Sequence, residues 1–444
     1  MHLSVIRSIC ARLLLMASLA APASAATLLR DPDIEHALQE IARPILRAAG
    51  LPADTTKILI VDDRSLNAFV IDGSAIFIHS GLILKLENAG QLQSVIAHEA
   101  AHIANGHIAR RMINMRNAQT AAGFGMALAV AVGATTGQGD AAAGIAAGVT
   151  GSAQRSFFAH TRAEENAADQ SGLRYMLSAG VRTEHAVDVL EIFRGQEMLS
   201  VNRQDPYART HPLTTDRLRT LRGLVAANPG QQADTADADY WFARAQGKLS
   251  AFTQNSNWTL RRVRGQDDLI STMRRAIALH RKPDRDAAIT EITALSARYP
   301  NDPYLHELRG QIFLENRQFA RAVDAYRRAV ELSPRNALIL GGYGRALLTL
   351  NATNANARAL ETLSRAYDRD NRDARILRDL AVAYAKSGNP GMASLVTAER
   401  YALLGRMQDA TLHASRAADQ LARGTVGWQR AQDVLSAAQQ AQRR

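Results

Sequence analysis

Apolar side chains recur three or four residues apart at Ile34, Leu38, Ile41, Ile45 and Leu46, and predict an amphipathic helix over residues 33–49. Two short apolar runs follow, Lys57–Val61 and Ala75–His79, and read as strands, the second opening just after an Asp72-Gly73 turn. Asn67-Ala68-Phe69 lies between them. From Gln91 the period is helical again, with Leu92, Val95, Ile96, Ile103 and Ile108 on one side and no proline to break it.

The second half is self-similar. Gly310, Phe313, Ala322, Tyr326, Ala329 and Pro334 follow the spacing of a 34-residue tetratricopeptide repeat, and Pro300 stands 34 residues before Pro334. Ala288, Ile292 and Leu295 fit the second helix of a preceding unit. Gly344, Leu347, Ala359, Leu363 and Ala366 fit a following one, then Leu380, Tyr384 and Ala393 around a Gly388-Asn389-Pro390 hinge, then a degenerate copy through Ala410, Ala414 and Ala417. About four such units share a core that none could bury alone. Asn228-Pro229-Gly230-Gln231-Gln232 has turn formers and no apolar period, which sets an expected boundary between residues 26–230 and 231–444. The expected fold class is α+β, mainly helical, with an all-α repeat solenoid as its second part.

The N-terminus reads as an export signal over residues 1–25: Arg7 and Arg12, a short apolar run from Leu13 to Ala20, and Ala23-Ser24-Ala25 as the small-residue cleavage site. The one cysteine, Cys10, falls inside it, so the mature chain has neither disulfides nor thiolate ligands. With 444 residues and 47% hydrophobic positions, two or three domains with real cores are expected. The net charge of +11 is unevenly placed. Residues 26–230 carry 19 basic and 20 acidic side chains, and residues 231–444 carry 32 and 22. With 5% aromatics and no nucleic-acid motif, this basic excess does not point to nucleic acid.

The chemistry sits on the helix after Gln91. His98-Glu99-Ala100-Ala101-His102 is an HExxH pattern: histidines at i and i+4 share a helical face and can reach one Zn²⁺, and Glu99 beside them can take a proton from water. A third ligand on the same segment would need Gly at 105 and His at 108, where the chain has Asn105 and Ile108. The other arrangement needs a downstream helix with Glu, and Asp four residues later. Arg162–Asp169 offers this, with Glu165 as third ligand and Asp169 accepting the second N–H of a ligand histidine, His98 by expectation. Glu164 competes with Glu165, but only Glu165 stands at i−4 from Asp169.

With these motifs the chain resembles the HtpX-like zinc metallopeptidases, in their exported, repeat-bearing branch. Supporting features are Asn67-Ala68-Phe69 before a Gly-containing turn and strand, Gly106-His107, and His211-Pro212 with Arg217 five residues after the proline. The resemblance implies a zincin-type domain with a small sheet, one zinc per chain held by His98, His102 and Glu165, and Glu99 as catalytic base. It implies that Asn67, Ala68, Phe69, Ile76 and Ile78 form an edge along which an extended substrate lies, although Val70 stands where the family has a small residue. It implies that His211 approaches the metal, either to serve the oxyanion or to take the water's place and hold the enzyme latent. His107 reads as a surface or packing histidine.

Residues 117–139 are 23 consecutive uncharged positions, and an Ala/Gly-rich composition runs on to Gly151. Thr135-Thr136-Gly137-Gln138-Gly139 interrupts the run and leucine is scarce, so 117–151 reads as a lid or packed hairpin beside the active site, or an element touching a membrane, rather than a span. Arginines populate the repeats, and Arg372, Arg375 and Arg378 are expected to bind acidic partners. The implied function is a periplasmic zinc endopeptidase that degrades misfolded or stalled outer-membrane proteins, with clients or the outer-membrane assembly machinery held by the repeats. The alternative is a chaperone-like, client-binding scaffold with a latent or structural zinc site.

Overall fold

The computed structural model describes residues 28–110, 162–200, 203–212, 214–228 and 235–442. The expected export signal and the 117–151 segment lie outside the described residues.

A four-stranded sheet of β1 (Leu28–Leu29), β2 (Lys57–Val61), β3 (Ala68–Val70) and β4 (Ala75–His79) has the order β1-β2-β4-β3. β2 and β4 run parallel, Lys57 opposite Ala75, and the outer pairs are antiparallel. Alternation sends the side chains of Ile58, Ile60, Ala68, Val70, Ile76 and Ile78 to one buried face. Helix α1 (Pro32–Ala48) packs there through Ile34, Leu38, Ile41 and Ile45, and starts where the Asp31 side chain accepts from the backbone N–H groups of Asp33 and Ile34. After the short α2 (Ser80–Lys85), α3 (Ala89–Ala104) runs almost wholly buried behind the sheet. It ends sooner than its apolar period suggested. Asn105 caps it and Gly106, at φ +70°, turns the chain, so that Ile108 belongs to a new helical turn.

Helices α4 (Arg162–Ser178), α5 (Glu184–Ile192), α6 (Pro206–Thr210) and α7 (Thr215–Ala227) complete this body. The expected break at residue 230 does not separate the packing. Helix α8 (Ala236–Thr253) puts Phe242, Ala245 and Leu249 into the core that α1 and α3 share, and Ala251 into the first repeat core.

From α9 (Ser256–Arg262) onward the chain is helical hairpins: α10 (Leu269–Arg281), α11 (Arg285–Arg298), α12 (Pro303–Glu315), α13 (Phe319–Leu332), α14 (Ala337–Thr349), α15 (Thr353–Arg369), α16 (Ala374–Lys386), α17 (Pro390–Leu403), α18 (Met407–Gln420) and α19 (Val426–Gln442). The repeat signature has a steric cause at Tyr326. Its ring lies between Gly310 and Gly342, and a Cβ at either position would run into it.

The halves are joined by buried charge. Arg30 Nη2 is 2.6 Å from Asp370, Lys57 Nζ is 2.8 Å from the same carboxylate, and Arg375 donates to the Arg30 carbonyl at 3.0 Å. Arg244 joins Asp33 to Asp302, and Lys248 pairs with Asp31. A cavity of about 780 Å³ lies between the halves, lined by Leu28, Leu84, Phe252, Glu307 and Ile376 among others.

Candidate metal centre

One helical turn brings His98 and His102 to the same face of α3, with their Nε2 atoms 3.1 Å apart. Helix α4 crosses α3 and carries Glu165 to them: its Oε2 is 3.3 Å from His98 Nε2 and its Oε1 is 3.4 Å from His102 Nε2. The loop after α6 adds His211, whose Nδ1 is 3.2 Å from His98 Nε2 and 3.1 Å from Glu165 Oε1. Potential ligand atoms of these four buried side chains all lie within 4.8 Å of one another. Glu99 is fully buried, with Oε1 3.4 Å from His211 Nε2.

The residues behind the cluster fix its direction. Asp169 Oδ1 is 3.0 Å from His98 Nδ1, leaving Nε2 to face the cluster. His107, which the sequence suggested as surface or packing, is buried with its Nδ1 3.0 Å from His102 Nδ1, so the second ring is oriented in the same way. Arg217 is buried as well, donating Nε and Nη2 to the two oxygens of Asp169 at 2.7 and 2.8 Å, with Nη1 2.6 Å from Glu165 Oε2. Its spacing after His211-Pro212 marked it in the sequence; its role became visible only in the fold. Tyr207, which belongs to none of the sequence motifs although it stands four residues before His211, stacks on it with ring centroids 4.6 Å apart.

Burial alone would raise the carboxyl of Asp169, but Arg217 and His98 hold it below its ordinary value. Burial would likewise raise Glu165, yet His211 and Arg217 keep it well below the usual carboxylate range. Burial opposes a charge on His98, but Asp169 and Glu165 push it up to about 10, whereas burial drives His102 down to about 3.

This donor set fits a zinc ion. Two imidazole Nε2 atoms and a carboxylate converge, all buried, and Glu165 Oε2 accepts no hydrogen bond of good geometry despite its close cations. Glu164, the competing ligand in the sequence, is outside the group of converging side chains.

The substrate edge is narrower than expected. Ile76 and Ile78 are fully buried, and β4 is flanked by β2 and β3, so neither residue offers side chain or backbone to a substrate. Of these two strands only β3 is an edge. The Asn67 carbonyl accepts from His79 N–H within the sheet, and its side chain accepts from Thr210, while Phe69 pairs with Phe77. By alternation the backbone N–H and C=O groups of Ala68 and Val70 point outward, away from β4. The Ala68 carbonyl is 3.3 Å from His211 Nε2.

The three arginines expected to bind partners have different surroundings. Arg375 is engaged with Asp373 and the Arg30 carbonyl, where it helps hold the halves together. Arg372 lies close enough to the Asp72 turn to lower that carboxyl further, after the Ser74 hydrogen bonds that chiefly lower it. Arg378 lies beside Asp379 at 2.8 Å.

Residues 29–225 match peptidase family M48, a family of zinc metallopeptidases, and residues 273–337 and 307–357 match a tetratricopeptide repeat family. The chain thus carries an M48 metallopeptidase domain followed by tetratricopeptide repeats. It is similar to the beta-barrel assembly-enhancing protease of Escherichia coli K12, 24% identical over 90% of this chain and 82% of that one. The putative beta-barrel assembly-enhancing protease of Vibrio cholerae is 28% identical over 51% of each chain. A thermophilic TPR protein of Thermus thermophilus aligns structurally with 38% of this chain and all of its own, at TM-score 0.28 and 19% identity. Among the described residues no helix is long and apolar enough to cross a membrane.

Proposed function

We propose that the chain is a periplasmic zinc-dependent endopeptidase that degrades misfolded or stalled outer-membrane proteins, its repeats holding the client or the assembly machinery. The convergence of His98, His102 and Glu165 beside the buried Glu99 carries this reading. The relatives named for beta-barrel assembly support its direction.

His98, His102 and Glu165 would hold the zinc. When bound, it supplies Lewis acidity toward the scissile carbonyl and the attacking water. Glu99 accepts the water's proton and returns it to the leaving amine. Asp169 and His107 keep both ligand rings pointing inward, and Arg217 holds Glu165 and Asp169 in place. A substrate strand adds along Ala68–Val70. His211 stands in its way: it fills a fourth position among the ligands and occupies the Ala68 carbonyl that such a strand would use. On this reading His211 keeps the site latent and swings out for turnover.

That latency also favours the second reading, a client-binding scaffold. The two separate in one experiment, in which purified mature protein is mixed with an unfolded outer-membrane protein. The peptidase reading expects Glu99→Gln to bind the client without consuming it.

A further inference from the structure

A groove of about 370 Å³ opens between α16, α17 and α18, in the C-terminal part of the solenoid. Its rim carries three arginines, Arg378 from α16, Arg400 from α17 and Arg416 from α18, with the imidazole of His413 beside them. No carboxylate among the described residues lines it. Of the acids on the same helices, Asp379 pairs with Arg345 at 2.7 Å and with Arg378 at 2.8 Å, Glu399 with Arg430 at 2.7 Å and Asp409 with Arg406 at 2.7 Å, while Asp419 on α18 is exposed and does not line the groove. Arg416 makes no ion pair among the described residues, and Arg400 donates only its Nε, to the Ala374 carbonyl at 3.2 Å. The floor is small and apolar, and Val382 within it is 41% exposed.

Arg400 and Arg416 stand at this trough with no carboxylate among the described residues paired to either, and like charges brought close together repel. The arrangement has what an anionic strand needs: forks for bidentate carboxylate contacts, and a floor flat enough for backbone to approach. We propose that this groove is the docking site for an extended acidic segment of a partner protein. Carboxylates spaced along one strand pair with Arg400 and Arg416, and Val382 packs beneath the strand. The proposal deepens the partner-binding reading of the repeats and is independent of the peptidase reading, because its test scores binding alone.

The test is fluorescence anisotropy with the full mature chain, carrying Glu99→Gln so that nothing is cleaved. The probe is a labelled peptide of alternating Glu and Ala, with the Gln/Ala peptide as its neutral counterpart. Saturable binding of the acidic peptide is expected, falling as salt rises from ~0.05 to ~0.5 M. Arg400→Ser with Arg416→Ser should weaken it about tenfold or more, because two charge-assisted contacts are lost. Arg327→Ser with Arg328→Ser removes the same charge from exposed positions on α13 and should change the affinity less than about twofold, since those arginines pair with Asp324 and Glu331. Melting curves establish that both variants are folded. Equal weakening by the two double variants would overturn the proposal in favour of diffuse surface charge. Equal affinity for the neutral peptide, or no loss in Arg400→Ser/Arg416→Ser, would overturn it outright.

Discussion

Arg217 grips Asp169 with two parallel contacts of 2.7 and 2.8 Å, both side chains nearly buried, while the same aspartate holds His98 Nδ1 at 3.0 Å. The His98 ring is therefore oriented through a chain of three residues. Arg217→Ala would leave Asp169 and Glu165 buried without their cation and should destabilise the metal-free protein by ~3–5 kcal/mol. Asp169→Ala removes the ring's support and should weaken zinc binding ~10–100-fold. Unchanged unfolding of Arg217→Ala would show that the acids of α4 need no counter-ion.

Zinc content discriminates the ligands. About one zinc per chain is expected, lost on replacing His98, His102 or Glu165 by Ala and retained in Glu99→Gln, because Glu99 stands beside the ligands and not among them. Full occupancy in Glu165→Ala would move the third ligand to Glu164 or to His211.

His211 separates latency from catalysis. It sits 3.2 Å from His98 Nε2 and 3.3 Å from the Ala68 carbonyl, so His211→Ala should free both the metal site and the edge strand. Cleavage of an unstructured substrate should rise with zinc content unchanged. A large fall instead would assign His211 to the transition state.

The junction between the halves predicts a pH effect. Burial pushes the Glu307 carboxyl up to about 8 from 4.5, with Lys248 and Arg375 opposing the shift and Asp31 and Asp33 adding to it. An acid whose pKa is higher in the folded state weakens the fold as pH climbs from the unfolded value through the folded one. Glu307→Gln cannot ionise, so its melting temperature should gain on the parent progressively between about pH 5 and 8. A constant difference across that window would mean that Glu307 titrates normally.

The periodic elements were legible in the sequence. Both predicted strands and the helices around HExxH form because apolar spacing and burial agree, and the Gly310–Tyr326 spacing reports a ring seated against a residue without a side chain. Pattern could not give relative placement. Ile76 and Ile78 looked available because a strand's sequence does not tell whether it lies at an edge or between neighbours, and β4 has neighbours on both sides. Arg375 looked like a partner-binding arginine because its contact, the Arg30 carbonyl, is 345 residues away. The stack of Tyr207 on His211, by contrast, is local: the two stand four residues apart on one helical turn, with the His211 N–H donating to the Tyr207 carbonyl at 2.8 Å.

The claim on which the rest depends is that Glu99 moves the proton in peptide hydrolysis at the site formed by His98, His102 and Glu165. The most direct measurement is the time course of loss of an unfolded β-barrel protein incubated with zinc-loaded mature protein, parent against Glu99→Gln. The account predicts loss with the parent, at least ~100-fold slower loss with the variant at the same zinc content, and undiminished client binding. Equal loss with both would contradict it.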